Sequence, residues 1–154
     1  MNDSNKENAS DIRQHTFTIH LFESFRPERV RCSFNTYAHN GTLAMMLMSR
    51  GEEIPGFTAP SQFNVPYGCV TVNLPGSASL PPDVQFVDEN NLPGIGDWLE
   101  ENGIARGLPI GMQSGYVTYR AYRFDIPEDV REMVIQRRNE CSERVKEQGN
   151  HPRR

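Results

Sequence analysis

The chain has 154 residues, enough for one hydrophobic core with tails and too few for two cores of ordinary size. Its 16 Lys+Arg against 20 Asp+Glu leave a net charge of -4, which excludes a basic domain built to neutralise nucleic-acid phosphates, since that affinity comes from counterions displaced by surplus cations. No apolar run reaches the roughly 20 residues that cross a bilayer, Met1 to Gln14 lacks the apolar stretch of a secretory signal, and Cys32, Cys69 and Cys141 form no CxxC pair, so a cytoplasmic setting is expected.

Residues 1–14 hold only Met1, Ala9 and Ile12 as apolar side chains, too few to offset the entropy of ordering, and are expected to form a disordered tail ahead of a single domain over 15–148. From Thr16 the pattern has period two: Phe17, Ile19 and Leu21 fall on one face of a strand. Val30, Cys32 and Phe34 repeat it, and the two strands form an antiparallel hairpin. Asn40-Gly41 tolerates positive φ and turns the chain into Thr42 to Ser49, apolar on both faces as a central strand is. Pro55, Pro60 and Pro66 make residues 50–67 a long irregular loop.

Cys69 to Leu74 is expected to be one strand and Val84 to Asp88 another. The Asn90-Asn91-Leu92-Pro93 run caps a short helix with Ile95, Trp98 and Leu99 as its apolar stripe, and Gly103 stops it. Gly107 to Gly115 is expected to be a loop, and Tyr116 to Phe124 an edge strand, because its second face is only partly apolar. Asp125 and Pro127 start a C-terminal helix whose stripe of Val130, Met133, Val134 and Cys141 thins toward Val145, with residues 149–154 as a tail. The fold class is therefore α+β: an antiparallel sheet of five or six strands, one short helix and a C-terminal helix.

Catalytic chemistry finds little support in these residues. Cys32 and Cys69 lie on strands, where a cysteine is ordinarily a small buried hydrophobe, and His15, His20 and His39 have no metal-ligand spacing. Neither Gly94-Ile95-Gly96 nor Gly107 to Gly115 matches a phosphate-cradling loop. No catalytic residue, cofactor or metal ligand is assigned.

The carboxylates are better organised. Asp83, Asp88, Glu89, Asp97, Glu100 and Glu101 occur with no intervening Lys or Arg. The ordinary reading is a solvated acidic face; the functional one is a surface that meets a basic protein groove. Arg120 and Tyr122 on the last strand add a fork-shaped cation and an aromatic ring, both suited to interfaces. The candidate partner-binding residues are Asp88, Glu89, Asp97, Glu100, Glu101, Arg120 and Tyr122.

Five motifs, Asn40-Gly41-Thr42-Leu43-Ala44, Cys69 to Leu74, Phe86 to Pro93, Glu101-Asn102-Gly103-Ile104 and Ser114 to Tyr119 with Tyr122-Arg123-Phe124, resemble the bacterial family called domain of unknown function 4313. The chain departs from that pattern in a longer loop over Gly51 to Tyr67, in Val117 and Arg120 standing where the family tends to have cysteine and proline, and in the extended C-terminal helix. The resemblance implies a small accessory protein of plasmids, integrative elements or phages and carries over no catalytic residue. It leads to the expectation of a non-enzymatic inhibitor of the anti-CRISPR type, whose partner is a CRISPR-Cas effector or another host defence complex. The alternative is a nucleic-acid-associated regulator using the arginines and tyrosines.

Overall fold

Apolar alternation in the strands decides which faces meet. In the computed structural model, residues 11–21, 27–57 and 63–149 are described. Strands β1 (Phe17–Ile19), β2 (Glu28–Thr36), β3 (Leu43–Ser49) and β4 (Pro66–Cys69) form one sheet in the order β1-β2-β3-β4. Strands β5 (Thr71–Val72), β6 (Val84–Val87), β7 (Ala105–Ser114) and β8 (Val117–Phe124) form a second in the order β5-β6-β8-β7. Every pairing is antiparallel. Helix α1 (Ile95–Glu101) joins β6 to β7, and helix α2 (Glu128–Gly149) follows β8. The α+β class stands: among the described residues eight strands, several of them short, are roughly in line with the five or six expected, and they divide between two antiparallel sheets.

The core lies where these elements converge. Leu43, Met45 and Leu47 of β3 are fully buried beside Val30 and Cys32 of β2, Val87 of β6, Tyr122 and Phe124 of β8, Ile95 and Leu99 of α1, and Val130 and Val134 of α2. A smaller cluster of Leu74, Leu80, Val84, Phe86 and Ala121 backs the other face of the second sheet. Strand β6, covered on both faces, is buried at all four positions. Its Gln85 crosses the sheets: Nε2 donates to Thr42 Oγ1 at 3.1 Å and the Leu43 carbonyl at 2.9 Å, while Oε1 accepts from Ser77 Oγ at 2.7 Å and Phe86 N–H at 3.0 Å. Both ends of the buried amide are satisfied, as a polar group in a core requires.

Four boundaries differ from the expectations. The single strand Cys69 to Leu74 is divided at Val70, whose N–H donates to the Met45 carbonyl at 2.9 Å and whose carbonyl accepts from Asp88 N–H at 2.8 Å. One extended segment thereby leaves the first sheet and enters the second. The expected loop Gly107 to Gly115 is mostly strand β7, irregular only between Gly107 and Gly111 around Pro109. Proline costs little there because β7 is the sheet's edge. Consequently β8 is an interior strand between β6 and β7, not the edge. Lastly, α1 is not capped by Asn91: its N-cap is Gly94 at φ 89°, and Asp88 closes the preceding turn, accepting from Asn91 N–H at 3.1 Å and Nδ2 at 2.7 Å.

Helix α2 docks through its first half. Gly41, at φ +72°, brings the β2–β3 turn so close that a Cβ would lie 2.6 Å from the Arg137 carbonyl carbon. Val130, Val134 and Cys141 are buried, and Val145 is exposed. At the other end of the chain, residues 1–10 of the expected tail lie outside the described residues. Asp11–Gln14 do not follow that expectation: Ile12–Gln14 form a 3-10 turn with Ile12 buried. Arg13 ties the turn to α2, donating to Asp11 at 2.8 Å and to Asp129 at 2.9 Å.

Candidate functional site

The candidate side chains come from three elements: the turn after β6 brings Asp88 and Glu89, α1 brings Asp97, Glu100 and Glu101, and β8 brings Arg120 and Tyr122. Helical spacing sorts the α1 residues. Gly96 and Glu100, four apart, face the second sheet; Asp97 and Glu101, also four apart, face outward.

Four of the seven residues meet. Tyr122 OH donates to Glu89 Oε1 at 3.0 Å. The Arg120 guanidinium lies 5.5 Å from the Tyr122 ring centroid, within cation–π range, and its Nε donates to the Leu108 carbonyl at 3.0 Å. Glu100 Oε2 accepts from Gly107 N–H at 3.1 Å and so ties α1 to β7. Two glycines make the assembly fit. A Cβ on Gly96 would collide with Glu89 Oε1 and the Tyr122 hydroxyl, and one on Gly107 would stand 2.5 Å from Arg120 Cζ. In sequence both glycines stand only as parts of possible phosphate loops, although the four-residue spacing of Gly96 and Glu100 was the signal for this packing role.

Burial pushes the Tyr122 phenol up to about 12, and the Glu89 carboxylate adds to the shift by accepting its proton in a hydrogen bond and by its negative charge. At neutral pH the phenol is thus a fixed donor. Burial likewise pushes the Cys32 thiol up to about 12, leaving it a packing group with almost no thiolate. Cys69, expected to be buried in its strand, is exposed, because it sits where β4 leaves the first sheet.

The remaining three residues divide differently. Asp88 closes the turn through Asn91. Asp97 and Glu101 are exposed and make no hydrogen bond or ion pair among the described residues. Asp83, counted with the acidic segment, belongs elsewhere: its side chain is almost buried and pairs with Arg131 of α2 at 2.9 Å, with Arg123 4.0 Å away. Arg29 and Arg31 of β2 are also engaged. Arg29 and Arg50 pair with Glu52, and Arg31 donates to Asn64, so they hold both arms of the loop expected over 50–67, which ends at Val65 because Pro66 and Tyr67 belong to β4.

The site can therefore offer two carboxylates, unpaired among the described residues, on a helix whose reverse face is clamped. It presents them beside the partly engaged Asp88, Glu89 and Glu100. No curated protein and no solved structure matches the chain. The family described as a domain of unknown function (DUF4313) matches residues 32–148, from within β2 through most of α2, and the chain belongs to that family.

Proposed function

We propose that this protein is a non-enzymatic binding protein whose α1 face seats on a basic surface of a protein partner. The specific form of that reading is an anti-defence inhibitor of the anti-CRISPR type, carried by a phage or other mobile element and directed at a host nuclease or surveillance complex. Its carrying observation is the pair Asp97 and Glu101, exposed and unpaired on a helix held at Gly96 and Glu100. Rigidly presented charges lose little entropy on docking, and complementary charge speeds encounter and excludes wrong partners. A surface built to hold nucleic acid is basic and so complementary to such a face.

The test is recovery of CRISPR effector subunits from a bacterial lysate by the tagged chain after nuclease treatment. Recovery that survives nuclease and is lost on Asp97→Lys with Glu101→Lys supports direct binding through α1. Recovery that disappears with the nuclease, or that is indifferent to the double reversal, contradicts it.

A further inference from the structure

At the end of the second sheet, where β6 and β7 begin, β8 ends and α2 starts, lies an open cleft of about 760 Å³. It shares Glu100 with the candidate site but not the outward pair Asp97 and Glu101, and the inference does not rest on the function proposed above. Arg106 of β7 and Arg123 of β8 line it, and they are direct cross-strand partners. Side chains so placed share a face with Cβ atoms about 5 Å apart, and like charges there repel.

Three arginines, Arg106, Arg123 and Arg131, line the cleft against three carboxylates, Asp83, Glu100 and Asp125, but the pairing is uneven. The Asp83 carboxylate is taken up by Arg131 at 2.9 Å and stands 4.0 Å from Arg123, while Arg106 has no hydrogen bond or ion pair among the described residues. Of the other carboxylates lining the cleft, Glu100 is bonded to Gly107 N–H and Asp125 is exposed. Half-buried Leu108 and Ile126 supply apolar surface beside the charges. The geometry points to a site for a small anionic ligand, with a carboxylate or phosphate group bridging Arg106 and Arg123 and an apolar body against Leu108 and Ile126. A guanidinium fork suits either oxyanion, and two on adjacent strands give one anion two such partners.

The experiment titrates the isotopically labelled full chain with sodium phosphate and, separately, sodium benzoate, each against sodium chloride at equal ionic strength, reading the arginine side-chain N–H resonances. Saturable shifts at Arg106 and Arg123 are expected, with the tighter of the two probes identifying phosphate or carboxylate as the preferred group. Arg106→Gln and Arg123→Gln should each weaken that binding at least tenfold with the backbone spectrum retained, and Arg137→Gln, on α2 outside the cleft, should leave it unchanged. Shifts no larger than those in chloride, or full affinity in Arg106→Gln, would overturn the assignment.

Discussion

Tyr122 shows how one side chain ties fold to site, since its ring belongs to the core while its hydroxyl holds Glu89. Removing the hydroxyl in Tyr122→Phe should cost about 1 kcal/mol in denaturant unfolding, the usual net value of one hydrogen bond. The raised phenol adds a pH signature. A group with a folded-state value above its unfolded value of 10.0 contributes stability that is complete below pH 10 and is lost as pH rises toward about 12. Wild-type stability should therefore fall through that window by more than that of Tyr122→Phe; parallel curves would contradict the assignment. Gly96→Ala makes the complementary prediction. Alanine favours a helix by about 1 kcal/mol over glycine, but here its methyl would displace Glu89 and Tyr122, so the substitution should destabilise instead of stabilise.

Among the elements, β2, β3, β6, α1 and α2 were legible because their apolar positions repeat at a strand or helix period and their ends carry glycine or proline. What stayed hidden follows from long-range pairing. The stretch Cys69 to Leu74 alternates without interruption, and only the partners β3 and β6 divide it at Val70. The Gly/Pro content of β7 resembles a loop until edge placement makes Pro109 tolerable. Gln85 gave no signal either, because an alternating Val-Gln-Phe-Val strand reads as half exposed, whereas both faces are covered. Replacing it in Gln85→Leu would strand the Ser77 hydroxyl proton, whose oxygen still accepts from Leu74 N–H, and the Leu43 carbonyl, and should cost about 1–3 kcal/mol for each group left unpaired. At the α2 docking point, Gly41→Ala combines a left-handed backbone with a collision against Arg137, so denaturant melts should show a loss of more than about 1 kcal/mol. The Arg13 clasp has the opposite pH sense to Tyr122. The hydrogen bond from Arg13 holds the Asp11 carboxyl below its ordinary 3.8, so its contribution is present above pH 3.8 and is lost as pH falls through the lowered value. Amide protection factors at Ile12–Gln14, corrected for the intrinsic pH dependence of exchange, should fall on acidification in the wild type but be low throughout in Asp11→Ala.

At the scale of the whole molecule, the acidic segment from Asp83 to Glu101 reads in sequence as one face of charge and is resolved by the fold into three tasks. Asp83 fastens β6 to α2, Asp88, Glu89 and Glu100 position the β6–α1 turn and α1, and Asp97 with Glu101 point outward unpaired. Sequence spacing could group these residues but could not assign their tasks, because Arg131, Tyr122 and Gly107 come from elements distant in the chain. The proposed binding function accordingly rests on two carboxylates, with the others supporting them from behind. The decisive measurement is the affinity of a purified effector complex for the wild-type chain and for the Asp97→Lys, Glu101→Lys variant, both verified as folded by their melting curves. The account predicts at least a tenfold loss in the variant and weakening of the wild-type complex as salt is raised. Equal affinity for the two proteins would contradict it.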